Sequence, residues 1–88
     1  MMAVRTRAEL LECFQRMATE VAEKEFTSVA ESTQIAELGI DSLGMLEIIG
    51  SLERELRIQI PDESLAGIQT VKDLLNAVES RQSLERAS

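Results

Sequence analysis

The stretch Asp41-Ser42-Leu43-Gly44-Met45-Leu46-Glu47-Ile48-Ile49-Gly50-Ser51-Leu52-Glu53-Arg54-Glu55-Leu56 decides the fold. Met45, Ile48, Ile49, Leu52 and Leu56 recur at spacings of three and four, so at about 100° per residue they share one face of a helix. This predicts a helix from Ser42 to about Leu56 with that face in the core. Asp41 precedes it as N-cap, able to accept from a first-turn N–H while its charge suits the positive end of the helix dipole. The run Leu38-Gly39-Ile40-Asp41-Ser42-Leu43 therefore places one serine on the first turn of an amphipathic helix. The chain has no histidine, so the imidazole that would make Ser42 a nucleophile is missing. The serine reads as a site of chemistry done to the protein by others.

Leu43, Leu46 and Gly50 fall outside the core stripe, together with Glu47 and Arg54. Two leucines beside Ser42, flanked by charge, have the character of a transient docking surface; the alternative is that they pack under the preceding loop. Upstream, Thr6-Arg7-Ala8-Glu9 matches a capping box. Leu10, Phe14, Met17 and Val21, with Leu11 and Ala18 beside them, then mark an apolar stripe to about Lys24. Cys13 borders that stripe and is expected to be half-buried, in a packing role. Phe26 to Ile40 reads as a long ordered loop with a helical turn near Thr33 to Glu37, a length that requires pinning by its own apolar residues or a function.

Downstream, Ile58-Gln59-Ile60 runs into Pro61, which favours an extended residue before it and makes this a connector. Asp62 to Ala66 predicts one short helical turn stopped by Gly67. Thr70 caps a last helix carrying Val71, Leu74, Leu75 and Val78. The expected fold is all-α, a small bundle of three longer helices and one short one. Residues 6–80 form its domain, between flexible ends at 1–5 and 81–88, the latter polar and fraying.

Composition agrees. Eighty-eight residues allow one small domain, burying a little over ~60% of the surface its unfolded chain exposes. With 44% hydrophobic residues but only two aromatics, Phe14 and Phe26, the core must be largely aliphatic. A net charge of −7 repels phosphate backbones and anionic lipid, and predicts partners with basic surfaces. The single cysteine cannot form an internal disulfide, which fits a reducing cytoplasm. No apolar run approaches the ~18 residues of a membrane span, and the first residues lack a signal-peptide core.

Several chemistries are excluded. Lys24 and Lys72 are the only lysines, and neither stands at a spacing that would activate Ser42. Carboxylate pairs such as Asp62-Glu63 are expected to be solvated surface. No segment has the alternating oxygen ligands and central glycine of a calcium loop, and no metal ligands are assigned. A DNA-reading helix would need basic residues where Ser42–Leu56 carries Glu47, Glu53 and Glu55. A helix N-terminus does, however, favour an attached or bound phosphate.

The stretch from Leu38 to Leu75, with its Asp41-Ser42-Leu43, a glutamate five residues past the serine, Ile60-Pro61-Asp62 and later Thr70-Val71, resembles the acyl carrier proteins and related phosphopantetheine-binding domains. The similarity runs from about Leu10 to Val78. It implies a non-catalytic four-helix carrier whose Ser42 receives 4'-phosphopantetheine from coenzyme A through a phosphopantetheinyl transferase, supported by Asp41. The arm's thiol would hold an acyl group as a thioester. The resemblance also implies that Leu43, Leu46 and Glu47, with Gly50, Glu53 and Arg54, belong to the helix read by acyl-transferring, ketosynthase or ligase-type enzymes with basic docking surfaces.

The chain departs from the fatty-acid carriers at Gly44 and Arg54, where acids are common, and at Gly50, where a methionine is usual. Each glycine should weaken the helix by up to ~1 kcal/mol relative to alanine. Gly50 either opens space for a bulkier docking residue or is tolerated at an exposed position. These departures point to a specialised pathway, polyketide or modified-lipid, ahead of housekeeping fatty-acid synthesis. Gly39-Ile40-Asp41-Ser42 differs from the Gly-Gly-His-Ser or Gly-Gly-Asp-Ser of peptidyl carriers, which favours an acyl cargo over an aminoacyl one. A carrier-like interaction subunit is the alternative from another class. The first methionine and a length matching one domain suggest a free-standing protein, with an excised domain of a larger synthase as the alternative; a monomer is expected. Phe26, Ile49, Leu52, Ile68 and Leu74 are candidates to line a cargo cavity, with ordinary core packing as their alternative role.

Overall fold

A computed structural model of the chain describes residues 5–26 and 29–87, with side chains to residue 82. The elements are α1 (Arg7–Ala22), a 3-10 turn (Ile35–Leu38), α2 (Ser42–Leu56), α3 (Asp62–Leu65) and α4 (Val71–Ala87). Three longer helices and one short one form an all-α bundle, as the hydrophobic periodicity predicts. No described helix is long and apolar enough to cross a membrane.

Each long helix starts on the cap its sequence offers. Thr6 accepts from the Glu9 N–H, and Glu9 Oε1 accepts from the Thr6 N–H at 2.8 Å. Thr70 and Asp73 repeat this reciprocal pair at the start of α4. Helix α1 stops at Ala22 because Glu23 turns left-handed, two residues before the expected end. Helix α4, by contrast, continues to Ala87, past the boundary drawn at residue 81. Arg81 to Ala87 contain no proline or glycine to stop it, and Gln82 is buried, accepting from the Arg5 N–H at 3.2 Å. Residues 1–4 and 88 of the two expected flexible ends lie outside the described residues.

The core joins Leu10, Phe14 and Ala18 of α1, Ile48 and Leu52 of α2, and Val71, Leu74, Leu75 and Val78 of α4, all fully enclosed. The long α1–α2 loop is pinned by two devices. Val29, Ile35, Leu38 and Ile40 are buried in the core. Its backbone also bonds to the segment entering α4: Ile35 N–H to Gln69 O, Val71 N–H to Thr33 O and Lys72 N–H to Glu31 O, at 2.8–3.0 Å. A polar clasp adds to this. Arg7 donates to Glu31 of the loop and to Glu79 and Asn76 of α4, at 2.7–3.1 Å. The helical turn expected near Thr33 to Glu37 is the 3-10 turn, which begins two residues and ends one residue further along, with Ile35 and Leu38 buried at its two ends.

Cys13 packs as expected and is more enclosed than half-buried, at 4% exposure. Its thiol donates to Glu55 Oε2 at 3.1 Å, and Arg16 holds the same carboxylate at 2.9 Å. Burial, then the neighbouring Glu55, push the thiol pKa up, so it stays protonated and unreactive near neutral pH.

Candidate functional site at the start of α2

The site begins with a turn. Gly39 adopts φ 81°, a left-handed conformation that suits a residue without Cβ, and its N–H closes the 3-10 turn on Ala36 O at 3.1 Å. Ile40 then plugs into the core and delivers Asp41 in an extended conformation to the N-cap. Asp41 Oδ1 accepts from the Gly44 N–H at 2.8 Å, and Asp41 O from the Met45 N–H at 2.8 Å. Such a cap is worth about 1 kcal/mol. Ser42 is the first helical residue and is exposed. Its position among first-turn N–H groups without helical acceptors suits a phosphodiester on its hydroxyl.

Beside Ser42 lies an open groove of about 430 Å³. Ile35 and Ile40 line it from the loop, Met45 and Leu46 from α2, and Leu65 and Ile68 from the α3 region, with Asp41 and Ser42 also on its wall. Of the five residues expected to line a cavity, only Ile68 borders this groove. Ile49, Leu52 and Leu74 are buried in the core and Phe26 packs partly buried against it. The groove opens at the first turn of α2, whereas Ile49 and Leu52 lie further along the helix, on its inner face. Sequence reasoning missed Ile35, Ile40 and Leu65 here. A signal for one of them existed: Ile40 and Met45 flank the cap at the spacing of a hydrophobic staple.

The predicted docking residues separate into two groups. Leu43 and Leu46 are 67% and 55% exposed, so they do not pack under the loop. Glu47 and Arg54 are exposed with them. Among the described residues, Arg54 makes only a 3.4 Å contact to Ser51 Oγ, and none of the described salt bridges includes it. Gly50 has no packing reason to lack a side chain, since an added Cβ would meet only Arg54 Nη1 at 3.6 Å. Glu53 differs from the others: it is half-buried, and its Oε2 accepts from the Ile60 N–H at 2.8 Å, holding the α2–α3 connector. Gly44 differs too. It is buried against α1, so it is not a surface position from which an acid has merely been lost.

Comparison with known proteins agrees with this architecture. The family described as the phosphopantetheine attachment site matches residues 8–78. An acyl carrier protein of Clostridium perfringens is 40% identical over 62 residues, 70% of this chain and 82% of the relative. The crystal structure of an acyl carrier protein from Thermotoga maritima superposes with a TM-score of 0.81 at 32% identity, covering 93% of this chain and 94% of that one. The solution structure of the oxytetracycline acyl carrier protein gives 0.71 at 26% identity, over 99% and 90% of the two chains. The chain belongs to the acyl carrier proteins, non-catalytic proteins that carry acyl groups on covalently bound 4'-phosphopantetheine.

Proposed function

We propose that Ser42 is the attachment point of the phosphopantetheine arm, and that the carrier serves a specialised pathway, polyketide or modified-lipid. The observation that carries the attachment site is the exposed Ser42 hydroxyl at the first residue of a capped helix, on the wall of an apolar groove. Asp41 holds the first turn by its cap bond, and the turn's N–H groups and dipole suit the phosphate. The attached arm supplies a terminal thiol that holds the acyl group as a thioester, at high effective concentration for the enzymes that use it.

The docking surface we assign is Leu43, Leu46 and Glu47, continued by Gly50 and Arg54. Its partners are a phosphopantetheinyl transferase and acyl-transferring, ketosynthase or ligase-type enzymes, whose basic surfaces would complement a net charge of −7. Glu53 is left out because Ile60 already engages its carboxylate. The exposed Arg54, the glycine at 50 and the likeness to a carrier of the oxytetracycline system support the specialised pathway. Cytoplasmic residence fits the single free cysteine.

Incubation with coenzyme A and a promiscuous transferase should add one phosphopantetheine by intact mass, and Ser42→Ala should accept none. An unmodified wild-type chain, under conditions that convert a control carrier, would sink the attachment site. The pathway is tested by offering the holo protein to polyketide, lipid and amino-acid loading enzymes. Preferential loading by an amino-acid ligase would replace the acyl reading.

A further inference from the structure

Gly44 stands two residues past Ser42 and is buried. A Cβ there would lie 2.8 Å from Val21 Cγ1, 3.1 Å from Ile40 Cγ2 and 3.3 Å from Asp41 Oδ1. These atoms come from three places: the last turn of α1, the segment leading into α2, and the N-cap side chain. The same residue's N–H donates to Asp41 Oδ1. The other glycines contrast with it, since Gly39 and Gly67 have nothing within 4 Å of an added Cβ and Gly50 has only the far end of Arg54. Close packing thus requires the missing side chain at Gly44 alone among the four.

We propose that Gly44 is a positioning residue for the Ser42 hydroxyl. Its bare backbone lets the first turn of α2 seat directly on Val21 and Ile40, and that seat fixes the direction in which Ser42 is presented for modification. This inference rests on Ser42 being the attachment point. In the transfer, Ser42 Oγ forms a bond to the pantetheine phosphorus of coenzyme A as the anhydride P–O bond breaks. Adenosine 3',5'-bisphosphate leaves, and the hydroxyl proton passes to the transferase or to water. A methyl at residue 44 cannot be absorbed by Val21, whose branched side chain is stiff at χ1. The first turn must therefore move away from α1 and carry Ser42 with it. Misplacement of a reacting atom by about 1 Å is enough to cost a large factor in rate. Leu43 would shift with that turn yet remain exposed, and Leu46 lies a turn further along α2, so the loss belongs mainly in kcat.

The test measures transfer kinetics from coenzyme A by a promiscuous transferase, below the melting temperature of each variant. Gly44→Ala should lower kcat about ten-fold while the KM for the carrier stays unchanged. Adding Val21→Ala, which removes the closest obstructing carbon, should restore most of kcat; Gly67→Ala should change neither constant. The proposal is overturned if Gly44→Ala melts lower yet is modified with wild-type kcat and KM, which is the signature of packing alone. It is equally overturned if the double variant, folded by circular dichroism, shows a kcat well below wild type. That second measurement decides the matter even where Gly44→Ala alone does not fold. Failure of the wild-type chain to be modified would instead remove the attachment site, and this inference with it.

Discussion

The two faces of α2 both carry apolar residues, and they meet opposite environments. Ile48, Ile49, Leu52 and Leu56 face inward and are buried, while Leu43 and Leu46 stand 67% and 55% exposed. Burial of such a side chain contributes about 1.5–3 kcal/mol, so the inner face is explained by folding alone. The outer pair earns none of that stabilisation in full. The difference teaches that one helix carries the same residue types on both faces, and that exposure, not hydrophobicity, tells the faces apart.

The largest effect should come from breaking the inner face. Leu52 is fully enclosed, and Leu52→Ala should destabilise by about 2–5 kcal/mol, from lost transfer energy plus the cavity left behind. Urea denaturation reads this as a lower midpoint. The remaining folded protein should still be modified by the transferase with a wild-type KM. A cost below ~1 kcal/mol would mean that this face is not the centre of the core.

That inner face was legible in the sequence because periodicity reports burial: the three-and-four spacing names Met45, Ile48, Ile49, Leu52 and Leu56, of which all but Met45, half-buried on the groove wall, are buried, and the capping signals at Thr6, Asp41 and Thr70 fix where helices begin. The outer leucines were legible as an anomaly in the same pattern. What the pattern hides is contact between segments distant in the chain. Gly44 looked like a weakened helix position, and only the approach of Val21 from α1 explains it. Glu53 looked like a surface acid until the Ile58–Ile60 connector folded back onto its carboxylate. The groove beside Ser42 draws Ile35 from the loop, Met45 from α2, and Leu65 and Ile68 from the α3 region, and no local spacing relates the three segments.

Acid should sharpen the contrast from the packed side. Glu55, on the last turn of α2, is tied to α1, and its pKa is lowered first by the Cys13 thiol and then by Arg16. Arg7 lowers that of Glu31 in the polar clasp, and the backbone N–H groups of Thr70 and Gln69 lower that of Asp73 at the α4 cap. Carboxylates whose folded-state pKa is depressed contribute stability that is present above their unfolded value, near pH 4, and is lost as pH falls through the folded one. On the way from neutral pH to the pI of about 4.5, shrinking net charge eases self-repulsion. The melting temperature should therefore hold from pH 7 to about 5 and fall below about 4. A Tm that stays level down to pH 2.5 or so would show that these pairs contribute nothing to the packed side.

The smallest effect on stability should come from the outer face, and there a small effect is the informative one. Leu46→Ala removes an exposed side chain, so its cost should stay within about 0.5 kcal/mol. If Leu46 docks the transferase, the same substitution should raise the carrier's KM about ten-fold, equivalent to ~1.4 kcal/mol of lost binding, with kcat largely kept. This is the mirror image of Gly44→Ala, which is expected to lower kcat and spare KM. The two variants lie within a turn of each other on α2, so the opposed responses would separate presentation of Ser42 from recognition of the surface around it. A Leu46→Ala chain that loses stability and keeps its KM would assign this leucine to the core and leave the outer face without a docking role.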